Sequence, residues 1–198
     1  MFKALSVENH RETLVIRFNR PEIRSPLSIF VLEELHGILD ESINNAVLQT
    51  IVFTGVADVF ASGADLREIA AVNGETAREF ALRGQNLMNK IAAARQTTVA
   101  AVNGYCFGGA LDLALACDKR IAAPTAVFSH PGVNLGIITG WGGTQRLPRI
   151  VGEGAALEML LTGKRIDANE ALRIGLIDET AEDPLEFSIA NYAAKRSS

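Results

Sequence analysis

Two compact runs of β-branched and apolar residues, 50–54 (TIVFT) and 99–102 (VAAV), lie on either side of a helical stretch over residues 75–95. Strand, helix, strand in that order predicts a parallel crossover, because parallel neighbours cannot be joined by a tight hairpin. The chain is thereby constrained to an α/β fold whose sheet is covered by its own connecting helices. Residues 4–7 and 13–18 read as two early strands, the second stopped by Asn19 and Pro21, and residues 119–123 and 126–128 as two later ones. Ser25 and Pro26 read as the N-cap and first position of a helix that carries Leu27, Val31, Leu35, Ile38 and Leu39 on one face. Helical patterns at 143–150, 154–161 and 169–174, with a terminal helix at 184–196, make the last third mainly helical.

With 198 residues, 48% of them hydrophobic and 21% charged, the chain has the makeup of one globular domain with a substantial core. A formal net charge of −4 excludes a globally basic nucleic-acid binder and favours small-molecule chemistry. Cys106 and Cys117 form neither a disulfide framework nor a metal-type spacing, and His10, His36 and His130 are isolated from one another, so no metal is expected. The first residues lack the basic-then-apolar pattern of an export signal, and no run reaches the ~18 apolar residues of a membrane span. A cytoplasmic protein with no membrane partner is the expectation.

Two loops at strand ends depart from core patterning: residues 60–65 (FASGAD) and 103–110 (NGYCFGGA). In parallel sheets ligands gather at that edge, where loops and helix N-termini present free N–H donors, and small residues let a ligand come close. The second loop runs into LDLALA (111–116), a helix whose positive end would favour a developing oxyanion at Gly109. Neither loop matches a phosphate-binding motif. The serine-hydrolase elbow also fails at Ser62, since Phe60 stands where its first glycine belongs.

Five segments together resemble the enoyl-CoA hydratase/isomerase (crotonase) family: 19–28 (NRPEIRSPLS), 60–69 (FASGADLREI), 99–118 (VAAVNGYCFGGALDLALACD), 136–152 (GIITGWGGTQRLPRIVG) and 161–178 (LTGKRIDANEALRIGLID). The resemblance implies a spiral of repeated β-β-α units over residues 1–140 and a helical region over 141–198, shortened relative to the family, within one domain. It further implies an acyl-CoA substrate, with coenzyme A entering as part of the thioester and no prosthetic group. By motif match the thioester oxygen lies between the backbone N–H groups of Ala64 and Gly109, and Asp65, Leu66 and Arg67 are candidate contacts for the coenzyme.

Two catalytic glutamates of family hydratases map to Asp112 and Gly132. Asp112 is then the catalytic acid–base, or else a first-turn acid that complements its helix dipole. Gly132 supplies no side chain, and His130, two residues away, is either a loop histidine or a low-ranked acid or base. Trp141 and Phe128 read as core residues that could also wall a pocket. Hydration of a 2-enoyl-CoA is the leading reading. Isomerisation, decarboxylation, thioester hydrolysis and a catalytically silent CoA-binding or assembly subunit are the alternatives, and a serine hydrolase using Ser62 ranks last. The family's trimer implies a homo-oligomer, which the shortened C-terminus puts in question.

Overall fold

The structure is a computed structural model and describes residues 4–192. Strands β1 (Leu5–His10) and β2 (Thr13–Phe18) form an antiparallel hairpin whose two-residue turn holds Arg11 at φ 56°. From β2 onward every neighbour is parallel. It is followed by β3 (Thr50–Thr54), β5 (Thr97–Val102), β7 (Lys119–Ala122) and β10 (Glu179–Thr180), giving a six-stranded sheet in the order β1-β2-β3-β5-β7-β10. The crossover predicted between residues 50–54 and 99–102 is therefore present, with β5 beginning two residues earlier.

A second sheet joins the strand predicted at residues 126–128 to short strands that the sequence did not reveal. Strands β4 (Val59–Ala61), β6 (Tyr105–Phe107), β8 (Val127–Ser129) and β9 (Ile166–Asp167) pair in that order, with only β8 and β9 antiparallel. The first turn is the β1–β2 hairpin followed by a helix; from β3 on, each turn runs through a strand of the large sheet, a short strand of the small sheet, and a helix. The helices are α1 (Ile29–Ile43), α2 (Leu66–Ala71) with α3 (Ala77–Ala92), and α4 (Gly109–Ala116). This β-β-α spiral is the architecture the family resemblance implies.

Successive turns stack closely enough that the corners need glycine. A Cβ on Gly55 would overlap the Val59 carbonyl, and one on Gly104 would overlap the Asp58 carbonyl. Asn103 clamps the two corners together: its Oδ1 accepts from Gly55 N (2.8 Å), and its Nδ2 donates to Ala57 O (2.8 Å) and Val59 O (3.2 Å). The half-buried amide thus joins backbone groups of two successive corners.

The large sheet alternates its side chains between two apolar layers, as a period of two requires. Ile16, Ile51, Phe53, Ala100 and Val102 face the main core, which α1, α3 and α4 cover. Val15, Val52, Val99, Ala101 and Ile121 face the other way, against α8 (Pro184–Tyr192) and its Leu185, Phe187 and Ile189. The predicted terminal helix therefore exists through Tyr192, and its last four predicted positions lie outside the described residues. The remaining helices, α5 (Gly143–Val151), α6 (Glu153–Thr162) and α7 (Ala168–Arg173), match the predicted patterns to within one residue at most ends.

One boundary differs for a reason that matters to the site. The first helix does not open at Ser25: that residue sits at φ 47°, and its hydroxyl accepts from Arg20 N. Ser28 is the N-cap, accepting from Val31 N at 3.3 Å. Leu27 is held extended in a parallel bridge with Ala64, its N–H donating to Gly63 O at 2.8 Å, so the helix cannot begin until that bridge ends.

The stacked corners yield a test. Gly104→Ala should destabilise the fold by about 1–3 kcal/mol through backbone overlap, whereas Gly74→Ala, with nothing within 4 Å of its Cβ, should be near neutral. Urea unfolding midpoints check this, and equal midpoints for the two variants would contradict the stacking argument.

Candidate active site

Two short segments build the inner end of the site. After β4 the chain passes Gly63, at φ 93°, where a Cβ would stand 2.6 Å from Phe107 O and 3.0 Å from Gly109 N. Only glycine permits that approach. After β6 it passes Gly108, at φ 53°, whose N–H donates to Ser129 O at 2.9 Å, and enters α4 at Gly109. A Cβ on Gly109 would lie 3.3 Å from Ala64 N. The backbone nitrogens of Ala64 and Gly109 are thereby neighbours, and among the described residues no protein acceptor takes either N–H. Gly109 N belongs to the first turn of its helix, where N–H groups lack intrahelical partners and carry the positive end of the dipole.

Ala64 and Gly109 both border a cavity of about 360 Å³. Its walls are mostly apolar and include Leu66, Ile69, Phe80, Ile138, Trp141 and Leu160. Trp141 is buried with its ring against the Cα atoms of Gly109 and Gly84, so it is a pocket wall as well as a core residue. Phe128 is core alone: it is buried and does not border the cavity.

Asp112, His130 and Gly132 line the same cavity, as does Ser62. No histidine hydrogen-bonds to Ser62 among the described residues, so a serine–histidine pair is not assembled there. Leu66 is half exposed at the mouth. Asp65 and Arg67 do not border the cavity: Asp65 caps α2 through Arg67 N (2.9 Å) and pairs with the Arg67 guanidinium at 2.8 and 3.1 Å. That pairing holds the Asp65 carboxyl below its usual range.

Helix α4 is buried along its whole length and is apolar on every side except for Asp112. The carboxyl is 1% exposed, and burial pushes its pKa up to about 7. Opposing that shift are the Thr139 hydroxyl, which donates to Oδ2, the N–H groups of Trp141 and Gly143, and the charge of Arg146. Gly143 opens α5, and a Cβ there would overlap Asp112 Oδ1 and press on the His130 ring, so the glycine makes room for the carboxylate. His130 lies with Nε2 3.6 Å from Asp112 Oδ1. Burial lowers its pKa to about 4, so the contact at neutral pH is between a carboxyl and a neutral imidazole rather than an ion pair. Asp112 Oδ1 and both His130 nitrogens are buried without a hydrogen-bond partner among the described residues.

Gly132 stands in the 3-10 turn Pro131–Leu135, where a Cβ would lie 2.9 Å from Ile137 O. Its own carbonyl accepts from Ile137 N at 3.0 Å. The chain therefore folds back over the position where the family's second glutamate maps, and no side chain fits without moving it. Thr139 and Gly143 escaped sequence reasoning, because nothing in GIITGWGG marks which small residue will meet a distant carboxylate. Among the described residues no group of three His, Cys, Asp or Glu side chains could hold a metal, and no helix is long and apolar enough to cross a membrane.

Buried ionisation gives the site a measurable cost. The Asp112 pKa is raised above its unfolded value, so its favourable contribution is full below about pH 4 and is lost as pH rises through about 7. Asp112→Asn keeps an acceptor for Thr139 and should raise the melting temperature at pH 8, by a free energy on the order of a few kcal/mol. The gain should shrink toward pH 4. A gain independent of pH would contradict the burial argument.

Comparison with known proteins identifies the family. The model of the enoyl-CoA hydratase/isomerase family matches residues 8–195. The short-chain-enoyl-CoA hydratase of Clostridium acetobutylicum is 36% identical over 191 residues, covering 96% of this chain and 73% of that protein. A probable enoyl-CoA hydratase of Bacillus subtilis is 40% identical over 184 residues, covering 92% and 71%. Among solved structures, the enoyl-CoA hydratase from Bacillus anthracis superimposes with a TM-score of 0.91 at 37% identity, over 98% of this chain and 76% of its own. Identity and coverage at that level, on a backbone this similar, place the chain in the enoyl-CoA hydratase/isomerase family.

Proposed function

We propose that the protein is an acyl-CoA enzyme of the enoyl-CoA hydratase type, adding water across the double bond of a 2-enoyl thioester. The observation that carries this reading is the pair of neighbouring N–H donors, Ala64 and Gly109, left without protein acceptors among the described residues at the edge of an apolar cavity. Such fixed donors stabilise the oxyanion of an enolate without reorganising, a contribution of roughly 10²–10³ in rate per donor. The names of the relatives point to the same chemistry.

Asp112 is the acid–base group in this reading. It follows Gly109 by three residues, so the helix puts its side chain one turn from the oxyanion donor and on the same cavity. As a carboxylate it takes a proton from water, and as an acid it returns that proton to the α-carbon. Leu66 at the mouth is the member of the 65–67 segment placed to touch the coenzyme, while the Asp65–Arg67 pair leaves the guanidinium at the surface, within reach of a phosphate. A cytoplasmic homo-oligomer is part of the same reading.

A second reading is double-bond isomerisation, favoured by the closed backbone at Gly132, because one acid suffices to move a proton between two carbons. Mass analysis separates the two, since only hydration adds a water. On a short trans-2-enoyl-CoA the wild type should yield the hydrated product, and Asp112→Ala should lower kcat by at least about 10²-fold. An unchanged kcat would remove Asp112 from the mechanism.

Ionisation of Asp112 sets the pH profile. The rate should rise with pH through about 7 and level off above it, because the carboxylate is the form that accepts the proton. A profile already flat from pH 5 upward would contradict the assignment.

A further inference from the structure

We propose that Trp141 closes the acyl end of the cavity and is the specificity-determining residue that restricts the site to short acyl groups. The inference rests on the acyl-CoA reading above, whichever reaction follows. It starts from the inward face of α3. Ala77, Phe80 and Ala81 on that face border the cavity, whereas Gly84, the next inward position one turn on, is buried and does not. The cavity ends there because the indole occupies the place: a Cβ on Gly84 would overlap ring atoms Cγ, Cδ1 and Nε1 of Trp141.

The ring spans two helices. Its other edge, Cε3 and Cζ3, lies where a Cβ on Gly109 would stand, and that same Cβ position is 3.3 Å from Ala64 N. The benzene edge is therefore close to the donor pair, and a chain leaving a thioester oxygen held there meets the indole within its first few bonds. Leu66 stands exposed at the mouth, where the bulky polar coenzyme must remain, so the acyl group takes the buried side, where Trp141 is. Three ties hold the tryptophan: Gln85 Nε2 of α3 donates to Gly140 O at 2.8 Å, Arg146 Nη1 donates to Trp141 O at 3.4 Å, and the Trp141 N–H donates to the Asp112 carboxyl. Phe80 packs against the indole with ring centroids 5.8 Å apart.

Glycine in the middle of a helix weakens it, and at position 84 its effect is to seat the indole directly on the α3 backbone. Replacing Trp141 by alanine removes the whole indole and leaves two glycines, Gly84 and Gly109, facing the space, so neither helix supplies a side chain at those positions to refill it. The furrow left between α3 and α4, which pack against each other, continues the apolar cavity toward Leu87 and Met88, the next buried positions on the same face. A longer hydrocarbon chain can occupy that furrow only when the indole is gone.

The test is the dependence of rate on acyl length. From crotonyl-CoA to trans-2-decenoyl-CoA the wild type should lose at least about 10-fold in kcat/KM, since a single methylene in a hydrophobic pocket is worth about 10–200-fold in discrimination. Trp141→Ala should raise the decenoyl-to-crotonyl ratio by about 10-fold or more, and Trp141→Leu, which keeps an apolar filler, by less. A ratio between two substrates cancels the folded fraction, so lost stability does not mimic the effect. An unchanged ratio in both variants, or a wild type that takes both lengths equally, would overturn the proposal. Hydration absent at every length would reject the hydratase reading alone. The proposal is then read from calorimetric Kd values of butyryl-CoA and decanoyl-CoA, whose ratio should move the same way in Trp141→Ala and whose constancy would overturn it.

Discussion

The close approach of the chain at Gly63 to the start of α4 at Gly109 is the contact on which the other features depend. Parallel ladders between β4 and β6 and between β6 and β8 bring successive turns of the spiral to bonding distance, and glycine at both positions removes the side chains that would hold them apart. One consequence is local: two backbone nitrogens from different turns, Ala64 N and Gly109 N, lie close together without protein acceptors among the described residues. Another reaches further along the chain, because the Leu27 bridge to Ala64 delays α1 until Ser28 and ties the first helix to the same spot. The candidate site is therefore a product of how the layers stack.

The second determinant is the placing of one carboxyl in an otherwise apolar, fully buried helix. Leucine or alanine at position 112 would suit α4 better by burial alone. Asp112 is retained in a shell composed for it, with Thr139 on one oxygen, the start of α5 opened by Gly143, and Arg146 near enough to favour the charge. Burial wins against these and lifts the pKa toward neutrality, the range that the proposed acid–base role would use. The cost of burying this carboxyl is thus concentrated at the candidate site, while the apolar layers on either side of the large sheet supply the stability that tolerates it.

Much of this was legible in the sequence. The run 50–54 is the strand it was read as, because its β-branched residues are buried on both faces, and the loops at 60–65 and 103–110 revealed themselves by small residues in otherwise apolar surroundings. Three-residue strands inside those loops were not legible, since a run such as Tyr105–Phe107 is too short to show a period of two. Ser25 and Pro26 carried a good local helix signal that a long-range bridge overrode. Arg67 was read as a candidate coenzyme contact, and its bidentate pairing with Asp65, two residues away, carried no signal in the sequence. Thr139 and Gly143 act on a residue some thirty positions earlier, a relation that only the packing of α4 against α5 creates.

The central claim is that the backbone N–H groups of Ala64 and Gly109 bind and polarise a thioester carbonyl. Difference infrared spectroscopy of a trans-2-enoyl-CoA labelled with carbon-13 at the thioester carbon isolates that one bond in the bound state. The account predicts a carbonyl stretch shifted to lower frequency on binding, with the shift retained in Asp112→Ala because the donors are backbone. A bound thioester whose carbonyl absorbs at its free-solution frequency would contradict it.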